Sequence, residues 1–200
     1  LISKPCILTI RREMDGGKFT GSDFSRTTLF ARALSFADTD KSKNFAYVDF
    51  EDDFNVSSIQ DAALAFGIKI IRSFHDMKGP VQNLRERLSK MRKTGYEIPK
   101  IAFLPRSLSD VENLFREASQ IKDFDFILCA MGVEGFPSRL LPAFSNSYLT
   151  FVSPKEVIEH TKFLGHIDPM SLQEIYNFNS ISKETALYGL TAWPTIENSV

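Results

Sequence analysis

The residue best placed to do covalent chemistry is a lysine inside an apolar strand pattern, Lys100 in IPKIAF (98–103). A lysine in such a run either snorkels to water or enters a cavity. In a cavity, desolvation disfavours the ammonium and leaves an amine able to attack a carbonyl. His75 follows KIIRSF (69–74). An imidazole there serves as a general acid–base or as a hydrogen-bonded cap. Arg11 follows CILTI (6–10) and Arg139 comes soon after FDFILCA (124–130); guanidinium groups suit an anion such as a carboxylate. Asp49 and Glu51 lie in and just after FAYVDF (45–50), and Met131 and Gly132 directly follow FDFILCA. Taken together, these residues suggest a lysine, a base and a carboxylate clamp in one cavity.

Other chemistries find less support. The histidines at 75, 160 and 166 lack metal-ligand spacing such as His-Glu-x-x-His. No Ser-His-Asp elbow occurs. Acidic strand ends could hold Mg²⁺, but the neighbouring lysine and arginines oppose it.

These residues share a position at successive strands, and the elements between them fix that position. Strand patterns fall at 6–10, 45–50, 69–74, 98–104, 124–130 and 148–152. Between them lie helical patterns at 23–37, with Ser22 and Asp23 near its start, and at 56–66, closed by Gly67. A third runs over 81–94, with Leu84, Leu88 and Met91 on one face and Gly95 at its end. A fourth runs to about 121, with Ser109 as N-cap and Glu112 completing a capping box. Short helices are expected at 138–144 and 171–176. Such alternation of strand and helix implies a parallel sheet covered by helices. Its polar groups then gather at the carboxyl ends of the strands. A doubly wound sheet competes with a barrel, but no Gly-x-Gly-x-x-Gly follows any strand. The expected fold class is α/β of the TIM (β/α)8-barrel family, as an incomplete barrel with about six βα units.

Composition narrows the partners. The chain has 200 residues, 43% apolar and 24% charged, with a formal net charge of -1. A domain of that size buries about 70% of its unfolded surface, and the charge gives no pull towards nucleic acid or an anionic membrane. No apolar run is long enough for a membrane span. Cys6 and Cys129 sit in apolar runs and read as free thiols in a reducing compartment. The expected location is therefore the cytoplasm.

Five stretches carry a resemblance: CILTIRREMDGGKF (6–19), YVDFED (47–52), SFHDM (73–77), RLSKMRKTGYEIPKIAFLP (87–105) and MGVEGFPSRL (131–140). In order and spacing the chain resembles type I 3-dehydroquinate dehydratase, with a barrel over residues 1–178. The resemblance implies dehydration of 3-dehydroquinate to 3-dehydroshikimate with no cofactor, through an imine on Lys100. His75 would be the general acid–base, Arg139 the carboxylate clamp, and Arg11, Asp15, Glu51 and Met131 further substrate-site residues. Asp15 stands where the family usually has the glutamate of Glu-Gly-Gly, before Gly16 and Gly17. The family's lid segment, Ser-x-x-x-Gln, falls at Lys162 and His166 here, which differ from it. Its Glu-x-Arg strand motif is not found, and the chain begins at Leu1, so the first barrel strands are expected to be missing.

The tail, 172–200, resembles the linker and first strand of a shikimate dehydrogenase in bifunctional members. Tyr188, Gly189 and Pro194 fit Tyr-Gly-x-x-Gly-x-Pro, Ala192 replaces a glycine, and Ser199 falls at a substrate-binding serine motif. Residues 179–200 are then expected to begin a second domain, with NADP needed only if that domain is present. A homodimer is the assembly considered. Two readings stand beside the dehydratase: another Schiff-base lyase of the class I aldolase type, and a truncated non-catalytic barrel.

Overall fold

The computed structural model describes residues 4–161 and 164–188. Among them a parallel sheet runs in the order β1 (Ile7–Thr9), β2 (Tyr47–Glu51), β3 (Lys69–Asp76), β4 (Ile98–Phe103), β5 (Ile127–Ala130). Strand order follows chain order, so every connection crosses over through helix to the neighbouring strand. The intervening helices are α1 (Asp23–Leu34), α2 (Ser57–Ala65), α3 (Leu84–Met91) and α4 (Leu108–Ser119). After β5 come the short α5 (Phe136–Leu140), α6 (Pro142–Ser145), α7 (Ile158–Thr161) and α8 (Pro169–Glu174).

Strand alternation sorts side chains onto two faces. Val48, Phe50, Ile68 and Ile70 pack outward with Phe30, Leu34, Ile59 and Ala63 of α1 and α2. Ile101, Phe103, Leu128 and Ala130 pack outward with Leu84, Leu88 and Met91 of α3 and Val111, Leu114 and Ala118 of α4. Phe30 meets Phe50 edge-on with ring centroids 4.9 Å apart; such a pair adds about 1 kcal/mol beyond its burial. The inner face opens with an apolar layer: Ile7, Tyr47, Ile71, Ile98 and Ile127, joined by Leu149 and Phe151. Tyr47 and Tyr148 close this layer through a hydroxyl–hydroxyl hydrogen bond of 2.6 Å. The polar residues follow towards the carboxyl ends.

Several expected elements are corrected. The strand expected at 148–152 does not form. Residue 147 reaches the sheet only by an isolated bridge to Phe126. There the Ser147 hydroxyl takes the Leu128 amide at 3.0 Å, so a side chain replaces the ladder's carbonyl. Five strands are therefore described, not six. The cap of α4 is Ser107 with Asp110, each side chain bonded to the other's backbone, rather than Ser109 with Glu112. Helix α3 ends at Met91 with Arg92 as its C-cap, short of Gly95. Gly67 follows the α2 C-cap Phe66 at φ +72°, a left-handed position that suits glycine.

Candidate active site

The inner face carries a charged cluster beyond its apolar layer. In register, Ser73 of β3 pairs with Lys100 of β4, and His75 with Ala102. Alternation puts Ser73 and His75 on one face, and Lys100 and Ala102 beside them. From β2, Asp49 and Glu51 join the same face. Lys100 is 8% exposed, and its Nζ lies 3.2 Å from Asp49 Oδ2 and 4.5 Å from the centre of the Phe151 ring.

Arg11 arrives from the loop after β1 and ties the carboxylates together. Its Nη2 lies 2.7 Å from Asp49 Oδ2, and its Nη1 donates to Glu51 Oε1 at 2.9 Å and to Ser73 Oγ at 2.8 Å. The Ser73 hydroxyl donates in turn to Asp49 Oδ1 at 2.5 Å. Burial alone would push the Asp49 carboxyl up; Lys100, Arg11 and the Ser73 hydroxyl overcome it and hold it well below the usual range. Glu51 has its second oxygen, Oε2, 2.5 Å from Nη1 of the buried Arg26. Both of its oxygens are thus taken by arginines.

His75 faces this cluster from β3. Burial, then the cations Arg11 and Lys100, push its imidazole down to about 2 against the pull of Asp49. Its buried Nδ1 has no hydrogen-bond partner. The ring is therefore neutral at pH 7 and carries a nitrogen lone pair.

Arg139 approaches from α5, buried, with Nη2 donating to the Leu164 carbonyl at 2.6 Å and Nη1 to that of Phe151 at 3.4 Å. It pins the segment after α7 to the site. Gly165 in that segment lies against the Gly132 carbonyl, where a Cβ would come within 2.3 Å. Met131 packs beside Ala102, Cys129, Phe151 and Leu164 on the same wall. His166 bonds Ser153 Oγ through Nδ1 at 2.6 Å; burial first, and Arg139 second, push it down to about 4. Lys162 lies outside the described residues, as do Gly189, Ala192, Pro194 and Ser199.

Asp15 is engaged differently. Its Oδ2 accepts from Arg12 Nε at 2.7 Å, while Arg12 forks onto Asp53 through both Nη atoms at 2.9 Å. These contacts brace the 12–19 loop at the rim. Three participants beyond the expected set emerge, Ser73, Phe151 and Arg26, while Asp49, already marked by its place in the strand, proves to be the partner of Lys100. The period of two could have found Ser73 from His75. Arg26 announces itself as a charge on the apolar stripe Arg26, Phe30, Leu34. Phe151 carries no such signal. Among the described residues no group of His, Cys, Asp and Glu side chains could hold a metal ion, and no helix is long and apolar enough to cross a membrane.

The model of the type I 3-dehydroquinase family matches residues 1–183. A 3-dehydroquinate dehydratase of Methanosarcina mazei is 32% identical over 156 residues, covering 74% of this chain and 62% of the relative. A bifunctional 3-dehydroquinate dehydratase/shikimate dehydrogenase of the Arabidopsis thaliana chloroplast is 26% identical over 196 residues, covering 95% of this chain and 30% of the relative. Among solved structures, the type I 3-dehydroquinate dehydratase of Clostridium difficile with covalent modified comenic acid superposes with a TM-score of 0.69 at 26% identity. It covers 89% of this chain and 70% of that one. The chain spans about 62% of the length of the Methanosarcina relative. The sheet is thus an arc of the (β/α)8 barrel that these structures share.

Proposed function

The chain belongs to the type I 3-dehydroquinase family, and from that membership we propose that the whole protein dehydrates 3-dehydroquinate to 3-dehydroshikimate through an imine on Lys100. The observation that carries the reading is the buried Lys100 amine on the same face of the sheet as a neutral imidazole whose Nδ1 has no hydrogen-bond partner.

The chemistry follows from the groups present. Lys100 Nζ, once its proton has left, adds to the C3 ketone, and loss of water gives an iminium. That cation acidifies the C2 protons. His75 accepts one of them, and the C2–H electron pair forms an enamine. The enamine electrons then expel the C1 hydroxyl, which departs as water with a proton from the acid form of the imidazole. Hydrolysis of the unsaturated iminium releases product and restores the amine. Lys100 itself supplies the electron sink, so no cofactor is required. Arg11 and Arg139 provide positive charge for the substrate carboxylate, Glu51 steadies Arg11, and Met131 and Phe151 wall the cavity. Asp15 braces the rim loop through Arg12, with Lys162 and His166 as lid positions.

We infer further that residues 179–200 lead into a second, shikimate dehydrogenase-like domain, which would bring its own need for NADP. The match to the bifunctional Arabidopsis relative over nearly the whole chain supports this. We read the partner as a small molecule, the assembly as a homodimer, and the location as the cytoplasm on the strength of two free thiols, Cys129 buried and Cys6 only half-buried.

Borohydride trapping tests the central claim. Reduction of the protein with 3-dehydroquinate should leave an adduct on Lys100 and on no other lysine in a peptide mass map. His75→Ala should still trap while turning over about 10²- to 10⁴-fold more slowly; Lys100→Ala should do neither. A label on another lysine, or turnover by Lys100→Ala, would sink the mechanism.

A further inference from the structure

Arg26 is fully buried on α1, in line with Phe30 and Leu34 at intervals of four residues. An arginine on an apolar stripe is costly unless it is paired. Its guanidinium lies 4.7 Å over the Phe54 ring and sends Nη1 to Glu51 Oε2. Its other ionic contact, 3.1 Å from Nη2, is to Asp23, a carboxylate 70% exposed and weakened by solvent. Glu51 is therefore its working partner.

From Glu51 the charges continue in alternation. Glu51 holds Arg11, Arg11 holds Asp49, and Asp49 holds Lys100. The row reads plus, minus, plus, minus from Arg26 up to the amine, so the four charges beside Lys100 sum to zero. We propose that Arg26 is a positioning residue for Lys100. Through Glu51 it keeps Arg11 against Asp49 and balances the second carboxylate, so that no net negative charge gathers beside the amine.

The physical ground is charge counting in a poorly solvated layer. A like charge nearby disfavours the ammonium, and an unopposed carboxylate favours it. Without Arg26, Arg11 serves two carboxylates alone, and its hold on Asp49 slackens. Asp49 then grips the ammonium more firmly. The other groups facing Lys100 are His75 from β3 and Cys129 from β5, with Arg11 and Asp49 as described. The imidazole is neutral, and the Cys129 thiol is pushed up by burial against the pull of Arg139 and Lys100. Neither adds charge to the row at pH 7.

The inference rests on the proposed function only in taking Lys100 as the reacting amine. Its test needs no substrate, so a failure of 3-dehydroquinate to form an imine leaves the measurement intact. Acetylation of Lys100 by acetic anhydride is followed against pH by peptide mass mapping, with cooperative unfolding as the control for folding. Arg26→Met should move the midpoint of Lys100 acetylation to higher pH, lowering the rate about threefold or more at a fixed pH below the midpoint. Arg26→Lys should restore it. Glu51→Gln should move the midpoint to lower pH, and Arg26→Met with Glu51→Gln should return it near the original. Should Arg26→Met not fold, the comparison of Glu51→Gln with the double variant isolates Arg26. Coincident midpoints for those two, or a midpoint in Arg26→Met that stays or falls, would overturn the proposal.

Discussion

Lys100 and Asp49 are joined across an intervening strand: the lysine on β4 reaches over β3 to the carboxylate on β2, 3.2 Å from Oδ2. Ser73 fills the gap beneath and bonds the other carboxylate oxygen. The amine therefore has one fixed resting place, set by three strands in register.

Removing that carboxylate should be costly. Asp49→Asn leaves Lys100 and Arg11 both short of a counter-charge in a buried layer, and breaking such a pair costs about 3–5 kcal/mol. Urea unfolding should show a loss in that range. A change below about 1 kcal/mol would mean that the two cations re-pair elsewhere.

Acid sensitivity should trace to His75. Its folded value, pushed down to about 2, lies below the unfolded value of about 6.5. The unfolded chain thus binds a proton that the folded chain refuses. The associated stability is fully present above about pH 6.5 and is lost as pH falls towards the folded value. Between pH 6 and 4.5 the folded state should lose up to about 1.4 kcal/mol per pH unit through this group. Urea midpoints of His75→Gln should slope less steeply over the same interval; equal slopes would refute the assignment.

The glycine contact between Gly165 and Gly132 is open to substitution. Gly165 has φ +70°, and a Cβ there would meet the Gly132 carbonyl at 2.3 Å. Gly165→Ala should cost about 1–3 kcal/mol and loosen the Leu164 carbonyl from Arg139, raising KM for substrate. An unchanged unfolding midpoint with unchanged KM would show that the Gly132 turn yields freely.

The two serines near the start of α4 should separate cleanly. Ser107→Ala removes the side chain that accepts the Asp110 amide at 3.3 Å, at a cost of about 1 kcal/mol. Ser109→Ala, inside the first turn, should be close to neutral. Thermal unfolding of the pair compares them directly, and the reverse order would contradict the observed cap.

That pair also shows where sequence reading reaches its limit. A Ser-x-x-acid pattern occurs twice here, as Ser107 with Asp110 and Ser109 with Glu112. Only backbone geometry chooses between them. Strands β1 to β5 were legible because apolar runs bounded by polar residues are the signature of a parallel sheet. The run after α6 misled because Ser147 substitutes its hydroxyl for a backbone partner, an exchange that leaves hydropathy untouched. Within the site, Lys100, His75 and Arg11 were legible as polar groups at strand ends. The closed arrangement of Glu51 between two arginines was not, because Arg26 belongs to a helix and meets the site only through tertiary packing.

The tyrosine pair that closes the apolar layer bears on the timing of assembly. Strand ladders join positions such as Tyr47 with Lys69 or Ile7 with Tyr47, whereas the hydroxyl contact joins residues 101 apart in the chain. Closure entropy grows only logarithmically, so quadrupling the separation costs about 1.2 kcal/mol more. The contact can be made once the strands between are already paired, with little further ordering. It belongs to the downhill side of folding, where a bond slows escape without hastening arrival. Tyr148→Phe should accordingly quicken unfolding in stopped-flow kinetics and leave the refolding rate where it was, making the curl of the arc a kinetic latch.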